Sequence, residues 1–412
     1  MKLIVLAKPS VPASSDEVRK GLYPPLGLLY LSAVARGCGF ETRVYDLDLY
    51  SREAFIEECI KLEPDYIGFT SVTTNCREIR RIINELRRAG VKSRIIVGGP
   101  HATLVPEDFE GYADYIVVGE GEFVLRDILE SRVRRDGGSG SIVVRGGHPP
   151  LDSLPQPDRD SIDLRAYGEN MGALMTSRGC PYNCLFCVAR FIMGRKFRGA
   201  SVEKVVSEWR RLRREYNAPK IRIVDDVFTF DRERAKEIMK RVKEESLGPW
   251  SLPNGVRVDN VDEEIIKLMA ESGCTTVWYG VESGDQRVIN VLRKGIRLER
   301  VEEVVKLTKK YGVRVGLFFM IGAPGETLES VYKTIRFIEK VEPDYLHFSI
   351  ATPYPRTDFW RWVEEHGRFL TTDYELFEKQ FIFETPEYPL RDRLKAIEII
   401  EKELSHKFDI EI

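Results

Sequence analysis

Short β-branched apolar runs alternate with stretches of helical period along most of this 412-residue chain, and few folds besides parallel-sheet α/β architectures accept that alternation. In the first 130 residues the candidate strands are LIVLAK (3–8), TRVYDL (42–47), DYIGFT (65–70), RIIVGG (94–99) and DYIVVG (114–119), with helices expected between them. This is the form of a doubly wound sheet, in which ligands bind beyond the carboxyl ends of the strands. Those ends carry Thr70-Ser71, Gly98-Gly99-Pro100-His101 and Gly119-Glu120-Gly121-Glu122, and small residues there let a bulky ligand approach the backbone. From about residue 173 a second series begins: ALMTS, IRIVDD (221–226), SLPNGVR (251–257), TTVWYGVE (275–282), VRVGLFFMIG (313–322) and YLHFSIAT (345–352). Helical stretches separate them, at 201–215, 231–246, 261–272, 299–311 and 327–340, so six βα units form a barrel short of the usual eight. Residues 131–172 are rich in Gly, Pro, Ser and Asp and read as a linker with a short hairpin. The expected division is a Rossmann-like domain at 1–135, a linker at 136–172, a partial (β/α)6 barrel of TIM type at 173–357, and a helical extension at 358–412.

Composition narrows the function. At 43% hydrophobic and 31% charged, the chain has material for large cores. Its 63 basic and 65 acidic residues leave a formal charge of -2, so no global field recruits nucleic acid or anionic lipid. Basic runs such as RRLRRE (210–215) are interspersed with acids and read as solvated helix faces. No apolar run reaches the roughly 18 residues of a transmembrane segment. The opening MKLIVLAKPS reads as a strand rather than a secretory signal, which predicts a cytoplasmic, reducing location.

Three of the seven cysteines, Cys180, Cys184 and Cys187, form a CxxxCxxC in SRGCPYNCLFCVAR, directly after the first strand of the second series. That position lies at the catalytic end of a barrel. Thiolates suit zinc or iron-sulfur clusters, but a structural zinc site needs four ligands, and the next histidine downstream is His347. Three thiolates on a four-iron cluster leave one iron open to a substrate, which an electron carrier does not need and an enzyme does. The other readings are zinc or three unrelated core cysteines. Cys38, Cys59, Cys76 and Cys274 stand singly and are expected in the core.

This motif at this position resembles the radical S-adenosylmethionine (SAM) superfamily. Further segments at successive strand ends carry the resemblance: VDDVFTF (224–230), YGVESGDQRVI (279–289), FFMIGAPGET (318–327) and TPYPRT (352–357), where Arg356 stands in place of a frequent Gly. The resemblance implies a [4Fe-4S] cluster on the three cysteines and SAM bound to its open iron. Asp225 and Asp226 are suited to the ammonium of SAM, Arg257 to its carboxylate, Glu282 and Ser283 to its ribose or amino group, and Gly322 to the flat adenine. Phe186 is placed to shield the cluster. Each polar residue also has a plain alternative as a helix cap or surface ion pair.

The first series lacks GxGxxG after its first strand, where AKPSVPASS stands, so a nicotinamide site is not expected. Its segments YPPLGLLYLSAVARGCGF (23–40), PDYIGFTSVTTN (64–75), IIVGGPHATLVPED (95–108) and VVGEGE (117–122) instead resemble the cobalamin-binding (B12-binding) domain of one radical SAM subclass. The residues expected at the corrin and its tail are Leu26, Gly27, Ser71, Thr73, Gly98, Gly99, His101, Gly119 and Glu120. None of the five histidines sits in a DxHxxG frame, which implies cobalt without a histidine from that motif.

The resemblance therefore implies a cobalamin-dependent methyltransferase acting on an unactivated carbon through a 5′-deoxyadenosyl radical and methylcobalamin. The same domains also suit a ring-forming reaction resembling anaerobic Mg-protoporphyrin monomethyl ester cyclisation. A reading of another class is a non-catalytic cobalamin sensor or electron carrier; the lack of a DNA-reading element and of a fourth thiolate opposes it. Expected partners are a small-molecule, lipid or peptide substrate and an electron donor such as ferredoxin or flavodoxin, with no nucleic acid. The tail aromatics Trp360, Trp362, Tyr374 and Phe377 serve either as core or as substrate contacts.

Overall fold

A computed structural model describes residues 2–11, 22–133 and 140–411. Part of the AKPSVPASS loop, residues 12–15, and residues 134–139 of the expected linker lie outside them. The chain divides into two compact units, residues 1–173 with 191–194, and residues 174–190 with 195–412.

The first unit is built on a parallel sheet of β1 (Leu3–Lys8), β2 (Glu41–Asp46), β3 (Tyr66–Thr70), β4 (Arg94–Gly98), β5 (Tyr115–Val118) and β6 (Ile142–Arg145), in the spatial order β2-β1-β3-β4-β5-β6. Helices α1 (Leu26–Gly37), α2 (Arg52–Leu62), α3 (Cys76–Arg88), α4 (Pro100–Leu104) and α5 (Glu122–Leu129) make the returns. Central strands are apolar on both faces: Ile4, Val5, Leu6 and Ala7 are all 2% exposed or less, as a parallel sheet covered by helices requires. The strand order reverses between β1 and β3, which is where such sheets open a ligand crevice. Within residues 131–172, where a linker with a short hairpin is expected, the described residues hold instead a strand, β6, paired in parallel with β5. Its alternating burial explains the misreading, because an edge strand is covered on one face and carries a weaker apolar signal.

In the second unit β7 (Ala173–Leu174), β10 (Ile221–Ile223), β11 (Trp250–Val256), β12 (Cys274–Glu282), β13 (Arg314–Ile321) and β14 (Tyr345–Ile350) lie in sequential spatial order. From β10 through β14 the strands pair in parallel. Strands laid down one after another in one direction make an incomplete barrel rather than a doubly wound sheet. A small pair, β8 (Ser177–Arg178) with β9 (Arg198–Gly199), flanks the cysteine loop, and α6 (Ala189–Ile192) is the turn following it. The returns are α7 (Val202–Arg214), α8 (Arg232–Glu244), α9 (Glu263–Glu271), α10 (Gln286–Val291) with α11 (Leu298–Lys310), and α12 (Leu328–Val341). Side chains of Ser201, Asp231, Asp262, Asp285 and Thr327 accept from backbone N–H groups in the first turns of α7, α8, α9, α10 and α12, which fixes where each helix starts.

The C-terminal region contains the expected helices, α13 (Asp358–His366) and α14 (Leu390–Leu404). It also contains strands. β15 (Arg368–Phe369) pairs antiparallel with β16 (Phe383–Glu384), and β17 (Asp409–Glu411) adds a seventh strand beside β14. Phe359, Phe377 and Phe383 from this region are buried with Leu185, Met320 and Ala351, while Trp360, Trp362 and Tyr374 pack partly buried against that cluster.

Candidate functional site

The carboxyl ends of the barrel strands surround a cavity of about 910 Å3, a volume suited to a nucleoside-sized ligand. Cys180, Cys184 and Cys187 all line it, and all three thiols are free. Gly179, at φ +85°, supplies the left-handed turn that swings the chain from β8 into the cysteine loop. Burial raises all three thiol pKa values, that of Cys187 to about 12, so thiolates here require a cationic partner such as a metal.

The donor set tests which metal centre suits the loop. Among the described residues, one group of three His, Cys, Asp or Glu side chains has its ligand atoms all within 4.8 Å of one another: Cys76, His101 and Asp108 in the first unit. Three thiol donors from one short loop suit a four-iron cluster that keeps one iron open.

Asp225 and Asp226 follow β10, but they differ in role. Asp225 spends its carboxylate on Thr176 N and Oγ1, both at 2.5 Å, and on Ser177 Oγ at 2.6 Å. It thus braces the strand that leads into the cysteine loop. Asp226 also lines the cavity, and burial followed by the neighbouring Asp225 charge raises its pKa. Glu282, at the end of β12, takes φ +74° where β12 shifts register against β13. Its carboxylate accepts from Lys294, and the side chains are 10% and 8% exposed. Gly280 makes this pair fit, because a Cβ there would stand 2.6 Å from Lys294 Nζ.

Phe186, Asp225, Asp226, Arg257 and Glu282 therefore reach the cavity, whereas Ser283 and Gly322 are not among its lining residues. Ser283 is fully buried and its Oγ accepts from Asp285 N at 3.1 Å. Gly322, at φ +83°, is covered by the C-terminal region: a Cβ would lie 2.6 Å from Arg393 Nη1 and 2.9 Å from Phe381. Sequence reading overlooked Lys294, Tyr182, Tyr354 and Glu378, all of which line the cavity. Tyr182 lay in plain view inside the cysteine motif. Tyr354 donates to Glu378, a pairing across 24 residues with no local signature.

In the first unit, the partly exposed glycines Gly98, Gly99 and Gly119 lie at or just beyond the ends of β4 and β5, and Gly27 is exposed at the start of α1, beside the buried Leu26. Bare backbone at strand ends fits a broad ligand laid against it. The polar residues between them face inward. Ser71 Oγ donates to Gly98 O at 2.8 Å and accepts from Ala102 N at 3.0 Å, while Gly99 has no room for a Cβ, which would stand 2.7 Å from Ser71 N. His101 is 0% exposed, with Nδ1 3.3 Å from Thr73 Oγ1 and Nε2 2.8 Å from Asp108 Oδ2. With both ring nitrogens engaged, His101 ties Thr73, just beyond β3, to Asp108. Two members of the Cys76, His101 and Asp108 group, the histidine and the aspartate, are thus bonded to each other. Glu120 is buried and interacts with His148 at 3.1 Å.

Comparison with known proteins agrees with this geometry. Residues 17–129 match the B12 binding domain, and residues 174–338 match the Radical SAM superfamily. A relative described as an uncharacterized methyltransferase, from Pyrococcus horikoshii, is 32% identical over 91% of this chain and 86% of its own length. Anaerobic magnesium-protoporphyrin IX monomethyl ester cyclase from Rubrivivax gelatinosus is 24% identical over 83% of this chain and 66% of its own. The fold is shared with the radical SAM methyltransferase TsrM of Kitasatospora setae, solved with tryptophan and a SAM analog: TM-score 0.77, 19% identity, 98% of this chain and 89% of that one.

Fold and site together define a two-module α/β enzyme with an open-barrel thiolate loop. The chain belongs to the radical SAM superfamily, in the group that carries an N-terminal B12-binding domain. The cofactors of this class are a [4Fe-4S] cluster, SAM and cobalamin.

Proposed function

We propose that the protein is a cobalamin-dependent radical SAM methyltransferase that methylates an unactivated carbon of a small-molecule substrate. The observation that carries this reading is the set of three free thiols from one loop on a cavity that also presents carboxylates and cations. When bound, these cofactors supply one-electron cleavage of a sulfonium and a cobalt-borne methyl group.

In this reading Cys180, Cys184 and Cys187 are the cluster ligands. Asp226 accepts from the ammonium of SAM, and the Glu282–Lys294 pair faces the ribose and amino-acid end. Phe186, Met320 and Phe348 line the cavity and keep water from it. Asp225, on this wall, and Ser283 and Gly322, behind it, act by holding its backbone. The first unit takes cobalamin on the glycines of its strand ends, with Ser71, Thr73 and His101 fixing their position. Among the described residues no helix is long and apolar enough to cross a membrane. The chain is placed in the cytoplasm, with a ferredoxin or flavodoxin as electron donor.

The relative named as a cyclase keeps ring closure as a second reading. Anaerobic incubation with cobalamin, a one-electron reductant, methyl-labelled SAM and an extract of a strain lacking the protein decides between them. Labelled product together with S-adenosylhomocysteine is expected; an oxidised, unlabelled product contradicts methyl transfer.

A further inference from the structure

Arg257 follows β11 and is 7% exposed, a costly place for a guanidinium unless each edge is used. Its Nε and Nη2 fork onto Asp259 at 3.0 and 2.8 Å. Its flat face lies over the ring of Tyr182, 3.7 Å from the centroid, and Tyr182 sits inside the cysteine loop with its hydroxyl donating to Asn260 at 2.6 Å. The remaining edge, Nη1, stands 3.9 Å from Cys184 Sγ. Ion pair and stack thus hold the guanidinium rigidly, with one donor turned toward a single sulfur. A carboxylate of SAM would find the fork already taken.

We infer that Arg257 is a positioning residue that donates an N–H···S bond to the Cys184 sulfur and thereby raises the reduction potential of the cluster. The inference rests on the proposed placement of that cluster on the three cysteines. Reduction adds one electron, drawn from an external low-potential one-electron donor, and neither makes nor breaks a bond. The added negative charge spreads onto the thiolate sulfurs, so a donor at one of them stabilises the reduced form more than the oxidised form. Asp259 offsets part of the arginine's charge. Its side chain is 39% exposed and screened by water, however, while Nη1 faces a partly buried thiol, so the local N–H dipole prevails at the sulfur.

The test uses the full chain, reconstituted with iron and sulfide without air, and follows the reduced cluster by electron paramagnetic resonance against solution potential. Wild type, Arg257→Met and Arg257→Lys are compared at matched iron content, before SAM is added. At a fixed potential, the ratio of reduced to oxidised cluster is expected to fall about three- to tenfold in Arg257→Met, with Arg257→Lys between the two. Equal potentials without SAM, or a difference that arises only with SAM present, would overturn the inference and make Arg257 a ligand anchor. If Arg257→Met loses its cluster, Arg257→Lys against wild type decides by the same criterion. A wild-type protein that takes up no cluster defeats the proposed function itself, a result distinct from equal potentials.

Discussion

Several residues singled out for ligand chemistry turn out to hold other residues in place. Asp225 shows why this is hard to read from sequence. A carboxylate at a barrel strand end suits an ammonium, but Thr176 and Ser177 offer three donors to it, and they stand far off in sequence. Replacing Asp225 by Ala leaves those donors buried without an acceptor, which is expected to cost about 2–4 kcal/mol. Urea unfolding of the iron-free protein measures this; a variant as stable as wild type would show the contacts to be unimportant. The cysteines were legible because their spacing is itself the chemistry. Lys294 was not, because its pairing with Glu282 depends on the turn after α10 bringing the chain back across the strand end.

At the scale of elements, strands announced themselves wherever a β-branched run is buried on both faces, so most expected boundaries lie within a residue or two of those found. The misses include the two-residue pairs β8–β9 and β15–β16, the edge strands β6 and β17 with their weak patterning, and the close packing of α14 on the turn after β13. There Arg393, fully buried, donates to Gly322 O at 2.9 Å, and Glu326 accepts from Gly322 N and, at 3.2 Å, from Ala323 N. Burial pushes the Glu326 carboxyl up to about 7 from an ordinary 4.5, against the opposing pull of Arg393. A carboxyl with a raised folded-state pKa stabilises most below the unfolded value and loses that contribution as pH rises through the folded one. The window is therefore pH 4.5 to about 7, with about 3 kcal/mol at stake. Glu326→Gln removes the titration, so its melting temperature should gain on wild type as pH rises from 5 to 8. Parallel curves would mean that Glu326 titrates normally.

For the whole molecule, two kinds of parallel sheet stand in one chain, and both place their glycines, carboxylates and thiols at carboxyl strand ends, where the doubly wound and barrel folds alike bind ligands. That general property is why both candidate sites were sought at strand ends from sequence alone. Which side chains line a cavity and which are buried among neighbouring residues depends on packing, as Ser283 and Gly322 illustrate. The account depends on an iron-sulfur cluster with one iron that no protein group occupies. The most direct measurement is the electron paramagnetic resonance spectrum of the reduced, air-free protein before and after SAM is added. The account predicts a [4Fe-4S] signal that changes on addition of SAM and is absent when Cys180, Cys184 and Cys187 are replaced by Ala. A cluster signal indifferent to SAM, or iron retained without these cysteines, would contradict it.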